Sequence, residues 1–156
     1  MVSLRQTFDL PAPEGRLLRV TATPARHGPA NGDRGPVIGF VVAYTDQPEQ
    51  VVYVSGDTVW YEGVAEVSRR FPIKLAFLFL GAARVATVSP AHLTLTAAEA
   101  VEAARAFSAA TIVPLHFEGW EHFSESRMEI ECAFRDADLE KRLQWLEAGC
   151  ATSISL

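Results

Sequence analysis

The sequence predicts a mixed α/β fold in which one β-sheet carries helices on one of its faces. β-rich segments joined by short turns fill the first half of the chain, and apolar strands alternate with helical patterns in the second half. That order is typical of a mixed sheet with helices on one side. With 156 residues, of which 49% are hydrophobic, the chain is long enough to form one domain over residues 1–156 with its own core.

Three strands are predicted in the first half of the chain. Residues 16–22 (RLLRVTA) alternate in polarity, and residues 37–45 (VIGFVVAYT) form a second β-rich run. A loop rich in proline and glycine separates them at residues 23–35, and a turn at residues 46–49 leads into a third strand at residues 50–55. These segments predict an antiparallel meander.

Strands and helices alternate in the second half of the chain. Apolar residues recur at helical spacing over residues 62–71, where Pro72 ends the pattern. The segments at residues 74–80 and 111–115 are apolar almost throughout, as is typical of strands in the interior of a sheet.

Two further helices are predicted from their first residues. An alanine-rich helix covers residues 96–108, where Thr96 and Glu99 have the spacing of a capping box. Another helix covers residues 124–134, with Ser124 as its N-cap. Two shorter elements complete the prediction, a helical segment and a closing strand, at residues 139–147 and 152–156.

Composition and charge exclude several classes of function. The net charge is −5 without any block of lysine or arginine, so nothing favours binding to nucleic acid. The apolar runs at residues 37–44 and 75–80 are too short to span a bilayer, and the N-terminal residues lack the core of a signal peptide. Cys132 and Cys150 do not predict a disulfide framework and are interpreted as small buried hydrophobic residues. We therefore predict a cytoplasmic protein.

Three polar residues share one structural position, just beyond the C-terminal end of a predicted strand. His27 follows the first strand, Asp57 follows the third, and His116 follows the strand at residues 111–115. Because the strand ends of such a sheet converge at one edge, these side chains can meet in space. Imidazole and carboxylate groups suit Zn²⁺ and other first-row divalent metals. The three residues are therefore candidate metal ligands.

Each of these residues also has an alternative interpretation. Asp57, in the segment Ser-Gly-Asp-Thr, could cap the helix that follows. His27 could be a solvated residue of its loop, and His116, between two apolar neighbours, could be a buried histidine with a hydrogen bond. The equivalent positions at three strand ends favour the metal site.

Five segments together resemble a known family. They are TATPARHGP at 21–29, YVSGDT at 53–58, LGAARV at 80–85, LTLTAA at 93–98 and VPLHFEGWEHF at 113–123. The chain resembles a branch of the metallo-β-lactamase superfamily, the cytoplasmic metal-dependent hydrolases that include ascorbate-6-phosphate lactonase-like and N-acyl-phosphatidylethanolamine phospholipase D-like proteins. The resemblance covers nearly the whole chain.

The resemblance implies a fold, a metal centre and an activity. The fold would be the C-terminal half of an αββα sandwich. His27 matches a ligand of one metal ion, Asp57 matches the catalytic residue that bridges two ions, and His116 matches a ligand of the second ion. The cofactor would be Zn²⁺, or Mn²⁺ or another divalent ion, at partial occupancy. The substrate would be a small molecule with an ester, lactone or phosphodiester bond.

The chain departs from the family pattern in its histidines. The family's other ligands lie in a His-x-His-x-Asp-His loop, and none of the four histidines of this chain is paired at that spacing. A hydrolytic zinc site generally needs three protein ligands and an activated water. We therefore predict a truncated hydrolase that lacks the N-terminal half of the fold and is weakly active or inactive alone. The alternative is a non-catalytic remnant that binds a metal or ligand, or a protein-interaction module.

Three further residues are candidates for contact with the substrate. The resemblance implies that Trp120 and His122 lie at the mouth of the pocket, and Arg84 follows a strand, where its guanidinium could bind a substrate anion. Packing of Trp120 and an ordinary surface position for Arg84 are the alternatives. His92, just before the helix at residues 96–108, is predicted to be an exposed loop residue.

The missing half also leads to an expectation about association. The family fold buries two sheets face to face, and this chain supplies the strands of only one of them. Helices cover one face of that sheet, so large apolar side chains of the other face would lie in water. We expect the chain to form a homodimer through that face or to bind the missing N-terminal half.

Overall fold

The computed structural model describes residues 6–30, 34–87 and 90–156, and a six-stranded mixed sheet lies at its centre. The strands lie side by side in chain order: β1 (Thr7–Pro11), β2 (Leu17–Pro24), β3 (Ile38–Tyr44), β4 (Val51–Val54), β5 (Ile73–Phe79) and β6 (Thr111–Leu115). The helices are α1 (Glu62–Arg70), α2 (Ala97–Ala106) and α3 (Arg127–Asp136), and two 3₁₀ turns lie at Pro13–Gly15 and Glu140–Arg142. The predicted mixed sheet with helices is confirmed.

Strand direction places one set of loops at a single edge of the sheet. Neighbouring strands from β1 to β4 are antiparallel, which includes the predicted meander, and β4, β5 and β6 are parallel. The crossover connections that parallel pairing needs contain α1 and α2. β2, β4, β5 and β6 therefore run in the same direction. Their C-terminal ends form one edge, which is called the carboxyl edge below.

The helices pack on one face of the sheet and enclose the core there. Tyr53, Leu78 and Ile112 of the inner strands are fully buried in the same cluster as Val64 of α1 and Phe134 of α3. Burial raises the pKa of the Tyr53 phenol well above its usual value, so this hydroxyl stays protonated. The prediction of helices on one face is confirmed.

Two capping boxes set where α2 and α3 begin. The predicted box of Thr96 and Glu99 is present at α2. The helix α3 begins later than predicted, because Ser126 forms its capping box. The predicted cap, Ser124, instead donates its hydroxyl to the backbone carbonyl of Ala82.

The other face of the sheet, called the open face below, is apolar. The buried residues of all three helices belong to the core on the opposite side. Paired strands bring together on the open face Phe8, Leu10, Leu18, Val20, Phe40, Val42, Val52, Val54, Leu75 and Phe77. Three of these side chains, Phe8, Leu10 and Phe40, are 60%, 49% and 38% exposed. The strand β1 extends the sheet at its edge and does not cross this face.

Two predictions of secondary structure are wrong, and one strand was not predicted. Residues 139–147 form only the 3₁₀ turn Glu140–Arg142, because the chain then extends and Leu143 bridges to Ile112 of β6. Residues 152–156 lack regular structure, since no strand pairs with them. The strand β1 was not predicted: Phe8 and Leu10 alternate with polar residues, but the run is only five residues long, ends in Pro11 and is exposed throughout.

The interpretation of the cysteines is also wrong. Cys132 and Cys150 are free and exposed. Ile130 and Phe134 are the residues of α3 that face the core, and the position between them points outward on a helix. Among the described helices, none is long and apolar enough to cross a membrane.

Candidate metal centre

His27, Asp57 and His116 meet at the carboxyl edge of the sheet. Asp57 Oδ2 lies 3.7 Å from His27 Nε2, and Asp57 Oδ1 lies 3.6 Å from His116 Nδ1. The three side chains are 22%, 32% and 30% exposed, in chain order, so each is partly shielded from water. The carboxylate therefore lies between two imidazoles and faces one of them with each oxygen.

Hydrogen bonds between two loops hold Asp57 beside His27. The buried hydroxyl oxygen of Thr58 accepts the backbone N–H of Arg26 at 2.9 Å. The residue after Thr58 donates its own N–H to the carbonyl of Arg26, also at 2.9 Å. Because Arg26 precedes His27 and Thr58 follows Asp57, these two bonds join the loops on which the two candidate ligands lie.

His116 has an unusual backbone conformation where β6 ends. Its φ is +57°, in the left-handed region that residues with a side chain rarely adopt. Its Nδ1 atom is buried and has no hydrogen-bond partner among the described residues. Both features cost free energy, because left-handed backbone is strained and a buried polar atom normally has a partner. Such costs are most often retained at functional sites.

Gly81, in the loop after β5, lies against His116. Its φ is +82°, and a Cβ atom at this position would lie 2.8 Å from the carbonyl oxygen of His116 and 3.0 Å from Cα of Phe117. The carbonyl of Gly81 also accepts the N–H groups of Ser124 and Glu125, at 2.9 and 3.2 Å. Only glycine combines this conformation with this close approach, so the loop after β5 supports the loop that carries His116.

The three side chains suit divalent metal ions, but they form two pairs, each with too few ligands to complete the shell of one ion. Two ligands of a tetrahedral zinc ion, each about 2.0–2.1 Å from the metal, are roughly 3.4 Å apart. The separations of 3.6 and 3.7 Å are close to this value and longer than a hydrogen bond. In the part of the chain that the structure describes, no group of three or more His, Cys, Asp or Glu side chains could hold one ion. His27 and His116 therefore form two pairs that share Asp57.

The alternative interpretations of the three residues do not fit the structure. The helix α1 has Tyr61 as its N-cap and no side-chain cap, so Asp57 does not cap it. The buried Nδ1 of His116 forms no hydrogen bond with the described residues. His27 is only 22% exposed and lies beside a carboxylate, so it is not a freely solvated loop residue.

A pocket of about 470 Å³ opens beside these residues. Polar and apolar side chains line it: His27, Arg34, Asp57, Ala83, Val85, Leu93, His116, Trp120 and His122. Trp120 is 69% exposed, so it lies at the rim of the pocket and does not pack into the core. The structure thus places Trp120 and His122 in the pocket wall, and their contact with a substrate stays a prediction.

Arg84 has the surface position of its alternative interpretation, and His92 differs from its predicted position. Arg84 is exposed and does not line this pocket, although its backbone N–H donates to the carbonyl of His122 at 2.7 Å. His92 is half-buried rather than exposed, because its Nε2 atom lies 3.1 Å from both carboxylate oxygens of Glu99. Conversely, Arg34 lines the pocket and was not predicted. Its only sequence signal is a positive charge in the same loop as His27.

The mixed sheet brings two histidines and an aspartate, donors that suit divalent metals, together at its carboxyl edge. The sequence profile of the beta-lactamase superfamily domain matches residues 2–117. The chain therefore belongs to this family, and the predicted resemblance to the metallo-β-lactamase superfamily is confirmed. Assignment to the lactonase-like and phospholipase D-like branch stays a prediction.

Solved structures show the same fold. The isothiocyanate hydrolase from Delia radicum gut bacteria matches with a TM-score of 0.78 and 22% identity over 89% of this chain. A possible metal-dependent hydrolase from Veillonella parvula has a TM-score of 0.77 and 19% identity over 90% of this chain. A metallo hydrolase from the hyperthermophilic archaeon Ignicoccus hospitalis has a TM-score of 0.67 and 20% identity over 89% of this chain.

This chain spans about half the length of these three proteins. The matches cover 55%, 55% and 54% of their chains, respectively. At such low identities the likeness shows the fold alone. None of the curated proteins compared with this chain matches it.

Proposed function

We propose that this chain carries part of the active centre of a cytoplasmic metal-dependent hydrolase that cleaves an ester, lactone or phosphodiester bond in a small molecule. The observation that supports this proposal best is the position of Asp57, whose two oxygens face His27 and His116 at 3.7 and 3.6 Å. A carboxylate between two imidazoles can bridge two metal ions, each of which also binds one histidine.

Within this centre, His27 with Asp57 would hold one divalent ion and His116 with Asp57 the other. Zinc is the ion we favour, since it takes imidazole nitrogen and carboxylate oxygen, and manganese is the alternative. A bound divalent ion supplies a water of lowered pKa and polarises the bond to be cleaved. The residues of this chain position the ions, and the pocket beside them holds the substrate.

The ligand count indicates that this chain is not sufficient for catalysis. Two protein ligands for each ion are fewer than the three that a hydrolytic zinc centre generally uses. The sequence has no His-x-His-x-Asp-His segment, and the chain spans 55% of the isothiocyanate hydrolase that it matches. We propose that a segment outside these 156 residues supplies the remaining ligands.

The 156-residue chain should therefore show no more than trace hydrolysis of p-nitrophenyl acetate or bis(p-nitrophenyl) phosphate, even with added Zn²⁺ or Mn²⁺. The expected reason is the incomplete set of ligands around each ion. The initial rate of p-nitrophenolate release measures this hydrolysis, with an Asp57→Ala variant as the control. Robust turnover that disappears in the variant would show that two ligands for each ion are enough.

The open face supports a second candidate function, that of a non-catalytic module that associates through its sheet. Phe8 is 60% exposed, Leu10 is 49% exposed and Phe40 is 38% exposed, on a face lined by apolar side chains. Burial of one such side chain is worth roughly 1.5–3 kcal/mol, and a few of them equal the stability of a typical domain. A symmetric contact between two copies would bury this face on both partners.

We accordingly expect the chain to be a dimer at micromolar concentration. Multi-angle light scattering across a dilution series would measure its mass against the 17.0 kDa of the monomer. Phe40→Lys, on the open face, should shift the chain towards monomer. Met128→Lys is the matched control, because Met128 is 65% exposed on α3, away from that face. A monodisperse monomer that unfolds cooperatively would contradict the dimer.

A further inference from the structure

The pocket beside Asp57 is lined by an arginine that the proposed hydrolytic centre does not use. Arg34 lines the pocket, and its backbone N–H donates to the carbonyl of His27 at 2.9 Å. This bond places Arg34 next to the candidate metal centre. Its side chain forms no ion pair within the described parts of the chain, and it lies more than 4 Å from the Asp57 carboxylate, whose ion pairs are with His27 and His116.

Among the described residues Arg34 has no acidic partner, whereas half of the arginines of the sequence do. Six of them form ion pairs with aspartate or glutamate: Arg16, Arg19, Arg69, Arg70, Arg105 and Arg127. Acidic partners are abundant, since 19 acidic residues outnumber 14 basic ones. An arginine of the pocket wall that has no ion-pair partner in the described parts of the chain can offer its guanidinium to an anionic oxygen group of a ligand.

The rest of the pocket wall is suited to a flat apolar group. Ala83, Val85 and Leu93 provide aliphatic surface inside the pocket. Trp120 is 69% exposed at the rim, and its ring centroid lies 5.8 Å from that of His122. A large exposed indole beside a pocket offers a surface on which a planar group can stack.

We infer that the pocket binds an organic anion, with a carboxylate, sulfonate or phosphate group at Arg34 and a planar apolar group against Trp120 and the aliphatic wall. The volume of about 470 Å³ suits a small molecule of this kind. This inference rests on the proposed function only in taking the pocket as the substrate site. It narrows the proposed substrates to negatively charged ones, so neutral esters and lactones would bind more weakly.

The test uses 1-naphthalenesulfonate, which carries both groups and cannot be hydrolysed as an ester, and the neutral 1-naphthalenemethanol. Titration into ¹⁵N-labelled protein with EDTA present follows the three indole N–H signals by NMR, and a Trp120→Phe variant assigns that of Trp120. The sulfonate should shift the Trp120 signal and bind at least about fivefold more tightly than the alcohol. Arg34→Gln should abolish that difference.

Arg135→Gln is the matched control, because Arg135 is an exposed arginine in the last turn of α3 and does not line the pocket. This control should leave both affinities unchanged. Equal binding of the two ligands, or sulfonate binding that survives Arg34→Gln, would overturn the inference. An Asp57→Asn variant separates the two proposals, since it should abolish metal binding and keep sulfonate binding. If the variant loses metal binding and keeps sulfonate binding, the anion site is independent of the metal site. If it keeps metal binding and loses sulfonate binding, the anion site alone is refuted.

Discussion

Replacement of Gly81 by alanine is expected to destabilise the protein and displace His116. A φ of +82° costs a residue with a side chain about 1–2 kcal/mol. In addition, the new Cβ would lie 2.8 Å from the carbonyl oxygen of His116 and 3.0 Å from Cα of Phe117, so backbone must move. We expect the free energy of unfolding, measured by urea denaturation, to fall by about 3 kcal/mol or more.

Gly149→Ala separates the two causes of this loss. Gly149 has a nearly identical φ of +80°, and a Cβ there would meet no atom within 4 Å. This variant should lose no more than the conformational cost of about 1–2 kcal/mol. Equal losses in the two variants would mean that the contact between Gly81 and the loop of His116 does not matter.

Replacement of Arg142 by alanine should have the other large effect on stability. The Arg142 guanidinium donates hydrogen bonds to the carbonyls of Ala104, Phe107 and Ala110, at the end of α2 and in the turn into β6. Desolvation lowers the pKa of Arg142, but an arginine in a protein stays protonated and keeps all its donors. Without them the carbonyls of Ala104 and Ala110 lose this partner, while that of Phe107 keeps the N–H of Ala110. We expect a loss of about 2–4 kcal/mol in the free energy of unfolding.

Two variants check that the bonds to the carbonyls cause this loss. Arg105→Ala removes an arginine of α2 that forms only an exposed ion pair with Glu102, so it should change stability by less than about 0.5 kcal/mol. Arg142→Lys keeps the charge but has fewer hydrogen-bond donors. Its free energy of unfolding should lie between those of the wild type and Arg142→Ala. Thermal and urea unfolding both report the differences. Equal stability of Arg105→Ala and Arg142→Ala would contradict this role.

The elements with strong local patterns could be predicted from the sequence. The strand at Thr111–Leu115 has the predicted bounds, because an apolar run between turns forms a buried strand. The capping box of Thr96 and Glu99 depends on residues three apart, which the sequence shows directly. The metal-site hypothesis came from strand ends in the same way, since parallel strands bring their C-terminal ends to one edge.

Features that depend on distant contacts could not be predicted. The bond from the Ser124 hydroxyl to the carbonyl of Ala82, far away in the chain, is one of them. The N-cap at Ser126 could have been predicted, because Glu129 follows it at the spacing of a capping box. The strand β1 pairs along the free edge of β2, and its five-residue run is too short to reveal that pairing. Arg34 reaches the pocket through the conformation of its loop, and Gly81 is required by a contact with His116.

We propose that His27, Asp57 and His116 bind divalent metal ions, and the NMR signals of the imidazole nitrogens report this binding directly. Zn²⁺ titration followed by long-range ¹H–¹⁵N NMR should move the signals of His27 Nε2 and His116 Nδ1, the atoms that face Asp57. The signals of His92 and His122 should stay in place, and Asp57→Asn should suppress the changes. Unchanged signals of His27 and His116 at saturating Zn²⁺, or identical shifts in Asp57→Asn, would contradict the account.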